Sequence, residues 1–292
     1  MLTAGLHHKN GFIRKGSAFA LQFPKAVARF AVDAKALQQR PPVLANSFPK
    51  SGTHLLDQIV DGLPGIRNYG AFLSSMTSSF RFTERSDAEV HAFIERFVPS
   101  EMIRGHLFYG PEAAEWLSKR HTVHYFIYRD PRDVVLSETH YLRSLNRWHK
   151  MHPYFRDAPS MDAAISLSIL GLQGSVTGLN YQNANDRFQR YAGWIDRNDV
   201  CALKFEDLTS ERREQEVRRM LDFYNERAGD PVEIQSVLPR MLDGMRPEKS
   251  HTYRKGKSGG WREKFSEEHK VQFKEVAGQT LIDLGYESDL EW

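Results

Sequence analysis

An apolar run, Val43-Leu44-Ala45-Asn46-Ser47-Phe48, stops at Pro49-Lys50-Ser51-Gly52 and opens at Thr53 into a helical pattern. No other passage constrains the fold as strongly. Residues 43–48 read as a short buried strand, and Leu55, Leu56, Ile59, Val60 and Leu63 share one helical face before Pro64-Gly65 ends it. The backbone N–H groups of Ser51, Gly52 and Thr53 then lie at a helix N-terminus, where unpaired donors and the helix dipole attract an anion. Lys50 adds a full positive charge on a flexible stem, and the hydroxyls of Ser51 and Thr53 add donors suited to phosphate oxygens.

The nucleotide triphosphatase loop requires Gly-x-x-x-x-Gly-Lys-Ser/Thr, with the Lys after the last Gly. Here Lys50 precedes the single Gly of the turn, which departs from a standard ATPase or kinase. Pro49-Lys50-Ser51-Gly52-Thr53 after a strand instead resembles the 5′-phosphosulfate loop of the cytosolic-type sulfotransferases. Two further segments carry the same resemblance, in the family's order. Residues 123–128 read as a second buried strand that leads through Arg129-Asp130-Pro131 into a helix, and Ser137 lies eight positions after Arg129. Arg129 at the strand end and Ser137 about two turns into the helix can grip one phosphate. A salt bridge to Asp130 or Asp133 is the other use open to that guanidinium. Near the C-terminus, Arg254-Lys255-Gly256-Lys257-Ser258-Gly259-Gly260-Trp261 resembles the family's Arg-Lys-Gly-x-x-Gly-Asp-Trp element, with Gly260 in place of the Asp. A basic, Gly-spaced loop lets backbone amides and cationic side chains wrap a phosphate closely.

The resemblance implies a single-domain α/β fold with a P-loop-like phosphosulfate loop, and 3′-phosphoadenosine 5′-phosphosulfate (PAPS) as sulfuryl donor, with the bisphosphate PAP as product and no metal. It assigns the 5′ end of the donor to Lys50, Ser51, Gly52, Thr53 and His54. The 3′-phosphate falls to Arg129, Ser137, Arg254, Lys255 and Gly256. Phe205, in a strand ending Phe205-Glu206-Asp207, stands where the family places a Tyr near adenine, and Leu55 where cytosolic members often place a stacking Trp. His106 stands at the family's general base, a role that suits an imidazole titrating near working pH. Lys50 neutralises the leaving oxygen. Arg104 replaces a usual Lys. Asp57 is the alternative base, one residue short of the spacing seen in some glycan sulfotransferases. A nucleotide-dependent phosphotransferase and a catalytically silent nucleotide-binding module remain the competing readings.

The remaining sequence is that of one soluble enzyme domain. Of 292 residues, 40% are hydrophobic and 26% charged, and a net charge of +3 without a basic-aromatic stripe argues against nucleic acid as partner. The single Cys201 allows no internal disulfide and fits a reducing, cytoplasmic location. Residues 1–40 read as an N-terminal extension packing on a 41–292 domain, with a weakly amphipathic basic pattern around Phe23, Val27 and Phe30 that offers a possible membrane contact. His121 and His124 fall on different faces of a strand pattern, and no Cys/His cluster has zinc spacing.

Ser86-Asp87-Ala88-Glu89 is a capping box, Pro111 opens another helix and Asp186 a third. Strands at Val43, Val123 and Val200 alternate with these helices, which predicts a mostly parallel sheet with right-handed crossovers. The polar stretches 67–85 and 142–160 read as lids and acceptor walls, and His149 and His152 as part of such a loop. The resemblance implies as acceptor a hydroxyl of a small molecule, lipid or sugar, without naming which.

Overall fold

A computed structural model describes residues 25, 27–29, 40–172, 181–245 and 258–292. Five parallel strands form the sheet: β1 (Val43–Ser47), β2 (Phe72–Ser74), β3 (Met102–His106), β4 (Val123–Tyr128) and β5 (Val200–Lys204), in the spatial order β2-β3-β1-β4-β5. Parallel strands need crossovers, and helices supply them. These are α1 (Thr53–Val60), α2 (Asp87–Ile94), α3 (Pro111–Lys119), α4 (Pro131–His140), α5 (His152–Arg156), α6 (Met161–Leu170) and α7 (Ala184–Ala192), then α8 (Phe205–Leu208), α9 (Arg213–Asn225), α10 (Ile234–Gly244) and α11 (Glu267–Asp283).

The strands are buried on both faces, so their residues alternate between two cores rather than between core and water. Val43 and Ala45 join Leu55, Leu56 and Ile59 of α1, Met220 of α9 and Met241 of α10 on one face. Leu44 points the other way, to Ile94 of α2, Leu117 of α3 and Phe188 of α7. A third cluster, with Val135, Ile165, Trp261 and Phe273, packs α4, α6 and α11 together.

Several local readings meet the structure directly. The capping box is formed, with Ser86 Oγ accepting from Glu89 N–H and the Glu89 carboxylate accepting from Ser86 N–H. The helix assigned to Asp186 starts earlier: Asn183 is its N-cap and accepts from Asp186 N–H at 2.8 Å, so Asp186 is a first-turn acid. Two stretches read as walls hold regular structure. Residues 67–85 contain the edge strand β2, and 142–160 contain α5 with buried Leu142, Met151, His152 and Phe155. The two segments touch where Lys150 N–H donates to the Ser79 carbonyl (3.0 Å) and the Phe82 and His149 rings lie 4.8 Å apart.

The strand order determines where a ligand can bind. From β1 the chain runs outward to β2 and β3 on one side and then to β4 and β5 on the other, so the connections at the carboxyl end of β1 diverge and leave a crevice. Ser47 pairs with Ile127, and Asn46 with Gly105, which brings the residues following β1, β3 and β4 to that one edge.

Candidate active site

The loop after β1 is built to present donors. Lys50 adopts a left-handed φ of 71°, and Gly52, the N-cap of α1, has φ 102°. The cap makes no side-chain hydrogen bond and the first turn carries no acid, so the N-terminal amides of α1 are left for another acceptor. Ser51 is fully buried, and its Oγ has no hydrogen-bond partner among the described residues. Buried polar atoms are rarely left so. An orphaned hydroxyl beside an uncapped helix start fits an anionic ligand seated on the loop.

Gly52 is required on two counts: its φ disfavours any side chain, and a Cβ there would lie 2.6 Å from Phe205 Cδ2 and 3.2 Å from Ile127 Cδ1. Phe205, at the start of α8, thus packs against the loop itself, and its ring also lies 4.5 Å beneath the Arg129 guanidinium. Leu55 is 5% exposed and belongs to the core beside α1 rather than to an open stacking face.

His106 ends β3 at the opposite lip of the crevice. Its Nδ1 lies 2.9 Å from the Ser47 carbonyl, which can only accept, so Nδ1 carries the proton and Nε2 the lone pair. Ser47 Oγ links the ring to the loop helix, 3.1 Å from His106 Nδ1 and 2.7 Å from Thr53 Oγ1. The strand end is fixed by Asn46, whose Oδ1 accepts from Leu107 N–H (2.8 Å) and whose Nδ2 donates to the Leu107 carbonyl (3.2 Å). Burial holds the imidazole below its ordinary pKa; the Ser47 carbonyl and Asp57 oppose the shift, and Lys50 and His54 add to it.

Asp57 is buried on α1, with Oδ2 3.8 Å from both Arg104 Nη1 and His54 Nδ1. Phe72 on β2 stands edge-on to His106 at 5.2 Å and is 41% exposed, an apolar lip beside the imidazole.

Lys50 is half-buried, and burial pushes its ammonium down to about 8, with Glu138 opposing and Arg129 reinforcing. Arg129 leaves the end of β4 and donates to Asp133 Oδ2 at 3.1 Å, the ion pair that the sequence offered as its other use. That carboxylate also accepts from Gly259 N–H (2.8 Å) and Trp261 N–H (3.1 Å), capping the 3₁₀ turn Gly260–Glu263. Asp133 therefore supplies the carboxylate where Gly260 has none. Glu206 makes a second tie, accepting from Asp130 N–H (3.2 Å), Ser258 Oγ (3.0 Å) and Tyr286 OH (2.9 Å). Ser137 is half-buried on α4. Arg254, Lys255 and Gly256 lie outside the described residues, although both ties anchor the chain just beyond them.

Asn46, Ser47 and Asp133 were not singled out as site residues from the sequence. The signal for the first two was present, since two polar residues closing an otherwise apolar buried strand need partners. His124 is buried against Trp194, and His152 Nδ1 donates to the Leu142 carbonyl (2.7 Å), so both are structural. Among the described residues no group of His, Cys, Asp and Glu could hold a metal ion.

A parallel α/β sheet with an uncapped, glycine-turned loop at its switch point defines the class. Within it, the sulfotransferase domain family matches residues 40–285, and the chain belongs to that family. No curated protein matches it in sequence. Mouse sulfotransferase SULT7A1 complexed with PAP superposes with a TM-score of 0.59 at 18% identity, over 85% of this chain and 87% of that one. Retinol dehydratase in complex with androsterone and the inactive cofactor PAP gives 0.55 at 17% identity, over 89% and 86%. At such identities the likeness is one of fold.

Proposed function

We propose that this sulfotransferase moves the sulfuryl group of PAPS directly to an acceptor hydroxyl, with His106 as base and Lys50 at the leaving group. His106 Nε2 takes the hydroxyl proton as the acceptor oxygen bonds to sulfur and the bond from sulfur to the bridging oxygen breaks. Lys50 and the α1 amides meet the negative charge that develops on that oxygen, and PAP is released. The carrying observation is the His106 Nδ1 contact with the Ser47 carbonyl, because it leaves the basic nitrogen as the free one, one hydroxyl away from the loop.

Ser51, Gly52, Thr53 and His54 hold the 5′ end, and Arg129, Ser137, Arg254, Lys255 and Gly256 the 3′-phosphate. Phe205 braces Gly52 and Arg129 from the adenine side, a reading supported by its contacts with both. PAP bound to the structural neighbours agrees with this donor, and androsterone and retinol in the retinol dehydratase complexes agree with a small-molecule hydroxyl acceptor entering past Phe72. Residues 1–40 are assigned as an N-terminal extension, and Arg29 within them pairs with Glu101 of the domain (2.8 Å). No helix among the described residues is long and apolar enough to cross a membrane, and the free Cys201 supports a cytoplasmic location.

Thermal denaturation with PAP, AMP or ATP plus Mg²⁺ tests the donor assignment, because a ligand that binds only the folded state raises Tm by mass action. PAP at about 100 times its Kd should stabilise by about 2.7 kcal/mol, AMP less, and ATP with Mg²⁺ least. Stabilisation by ATP with Mg²⁺ alone would make the protein a phosphotransferase.

A further inference from the structure

Lys50 is a half-buried cation with an unusual support. Its ammonium makes no hydrogen bond or ion pair among the described residues and rests 4.2 Å from the centroid of the Tyr141 ring. Glu138, the carboxylate whose field reaches Lys50, is committed elsewhere: it accepts from Arg187 at 2.8 Å and from Ser168 Oγ at 3.3 Å.

The ring is itself a built platform. Tyr141 opens a π-helical turn, Tyr141–Leu145, directly after α4, and such turns occur often at functional sites. Asn146 holds both ends of the residue, its backbone N–H donating to the Tyr141 carbonyl (2.9 Å) and its Nδ2 to the phenolic oxygen (2.8 Å). Burial raises the phenol above its ordinary pKa, so the ring stays neutral and keeps its electron-rich face.

A carboxylate in this position would neutralise Lys50 and occupy its donors. An aromatic face attracts the ammonium through the ring quadrupole while leaving its charge uncompensated and its N–H groups free to turn outward. We propose that Tyr141 is the positioning residue for Lys50, holding the ammonium beside the loop with its charge intact until negative charge develops on the bridging oxygen. This inference rests on the sulfotransferase reading above.

Two measurements on the full chain test it. In the first, reductive ¹³C-methylation gives each lysine an NMR signal, with Lys50 assigned by Lys50→Arg. The Lys50 methyls of the ligand-free protein should be shifted upfield by the ring, the shift surviving in Tyr141→Phe and vanishing in Tyr141→Leu. In the second, release of PAP from PAPS is followed with water and with 2-naphthol as acceptors. Tyr141→Leu should lower turnover about tenfold, roughly 1.4 kcal/mol in barrier, and Tyr141→Phe should restore it to within about twofold. Stabilisation by PAP, which rests on the α1 amides and the 3′-phosphate groups as well as on Lys50, should change far less than turnover in both variants. Asn146→Ala, which frees the ring without emptying its site, should fall between, and it serves if Tyr141→Leu does not fold. No upfield shift in the wild-type protein, or unchanged turnover in folded Tyr141→Leu and Asn146→Ala, overturns the inference. A wild-type protein that is not stabilised by PAP overturns the functional reading instead, and the NMR arm still decides whether the ring holds the ammonium.

Discussion

With Nδ1 of His106 committed to the Ser47 carbonyl, a proton taken by the ring arrives at Nε2, and the pH at which this stops follows from burial. The imidazole is held below 6.5, so the acid limb of kcat/KM should fall below pH 6.5. Lys50, the proposed cation at the leaving group, is pushed down to about 8, so activity should be lost again as pH rises through about 8. Lys50→Arg should remove the alkaline limb at a lower rate, because a guanidinium does not deprotonate in this range. A profile still rising past that pH in the wild-type protein would show that Lys50 need not be charged.

The base itself has a direct test. His106→Ala should cut turnover by about 10²–10⁴ while PAP binding, measured by calorimetry, changes little. Asp57 raises the pKa of His106, so Asp57→Asn should move the acid limb to lower pH with a modest rate loss. If Asp57→Asn is as inactive as His106→Ala was expected to be, and His106→Ala is not, the carboxylate is the base.

At the scale of elements, the loop and α8 are locked together through Gly52. Gly52→Ala meets both a left-handed φ and the Phe205 ring, so a loss of about 1–3 kcal/mol is expected, read as a lower Tm together with weaker PAP binding. A Gly52→Ala protein with wild-type Tm would show that the loop relaxes freely. Strands and helices around this junction were legible because buried apolar runs and helical periodicity leave clear traces: β1, β4, α1 and the Ser86 capping box all follow from them. Strand β2 was not, since three residues, Phe72-Leu73-Ser74, within a polar stretch carry no period. The wall segment 142–160 hid its core for a related reason. Met151 and Phe155 stand at helical spacing, but α5 is too short to show a period, and Leu142, nine positions earlier, joins them only through the π turn.

Across the whole molecule, the reading of the 3′-phosphate depends on groups far apart in the chain. Arg129→Ala should weaken PAP by about 10–100-fold, the worth of a charge-assisted hydrogen bond, and leave AMP nearly unaffected in the same titration. Equal losses for the two nucleotides would remove Arg129 from that phosphate. The candidate site was legible wherever a motif names its own chemistry, as at Lys50, Arg129 and His106. The supports were not. Asn46 and Asp133 act through backbone groups of Leu107, Gly259 and Trp261, and nothing local to either residue announces a partner that distant.

Those distant partners give the Asp133 tie a bearing on synthesis. The carboxylate beside Arg129 receives two of its donors from Gly259 and Trp261, and Glu206 one from Tyr286. Emerging from the ribosome at about 5–20 residues per second, the chain has the loop after β1 and both flanking strands before these partners. The donors from Gly259 and Trp261 that steady the carboxylate beside Arg129 follow it by 126 and 128 residues. A ribosome-bound fragment ending before residue 259 therefore lacks the cross-ties beside Arg129, and it should bind PAP more weakly than a chain that includes them.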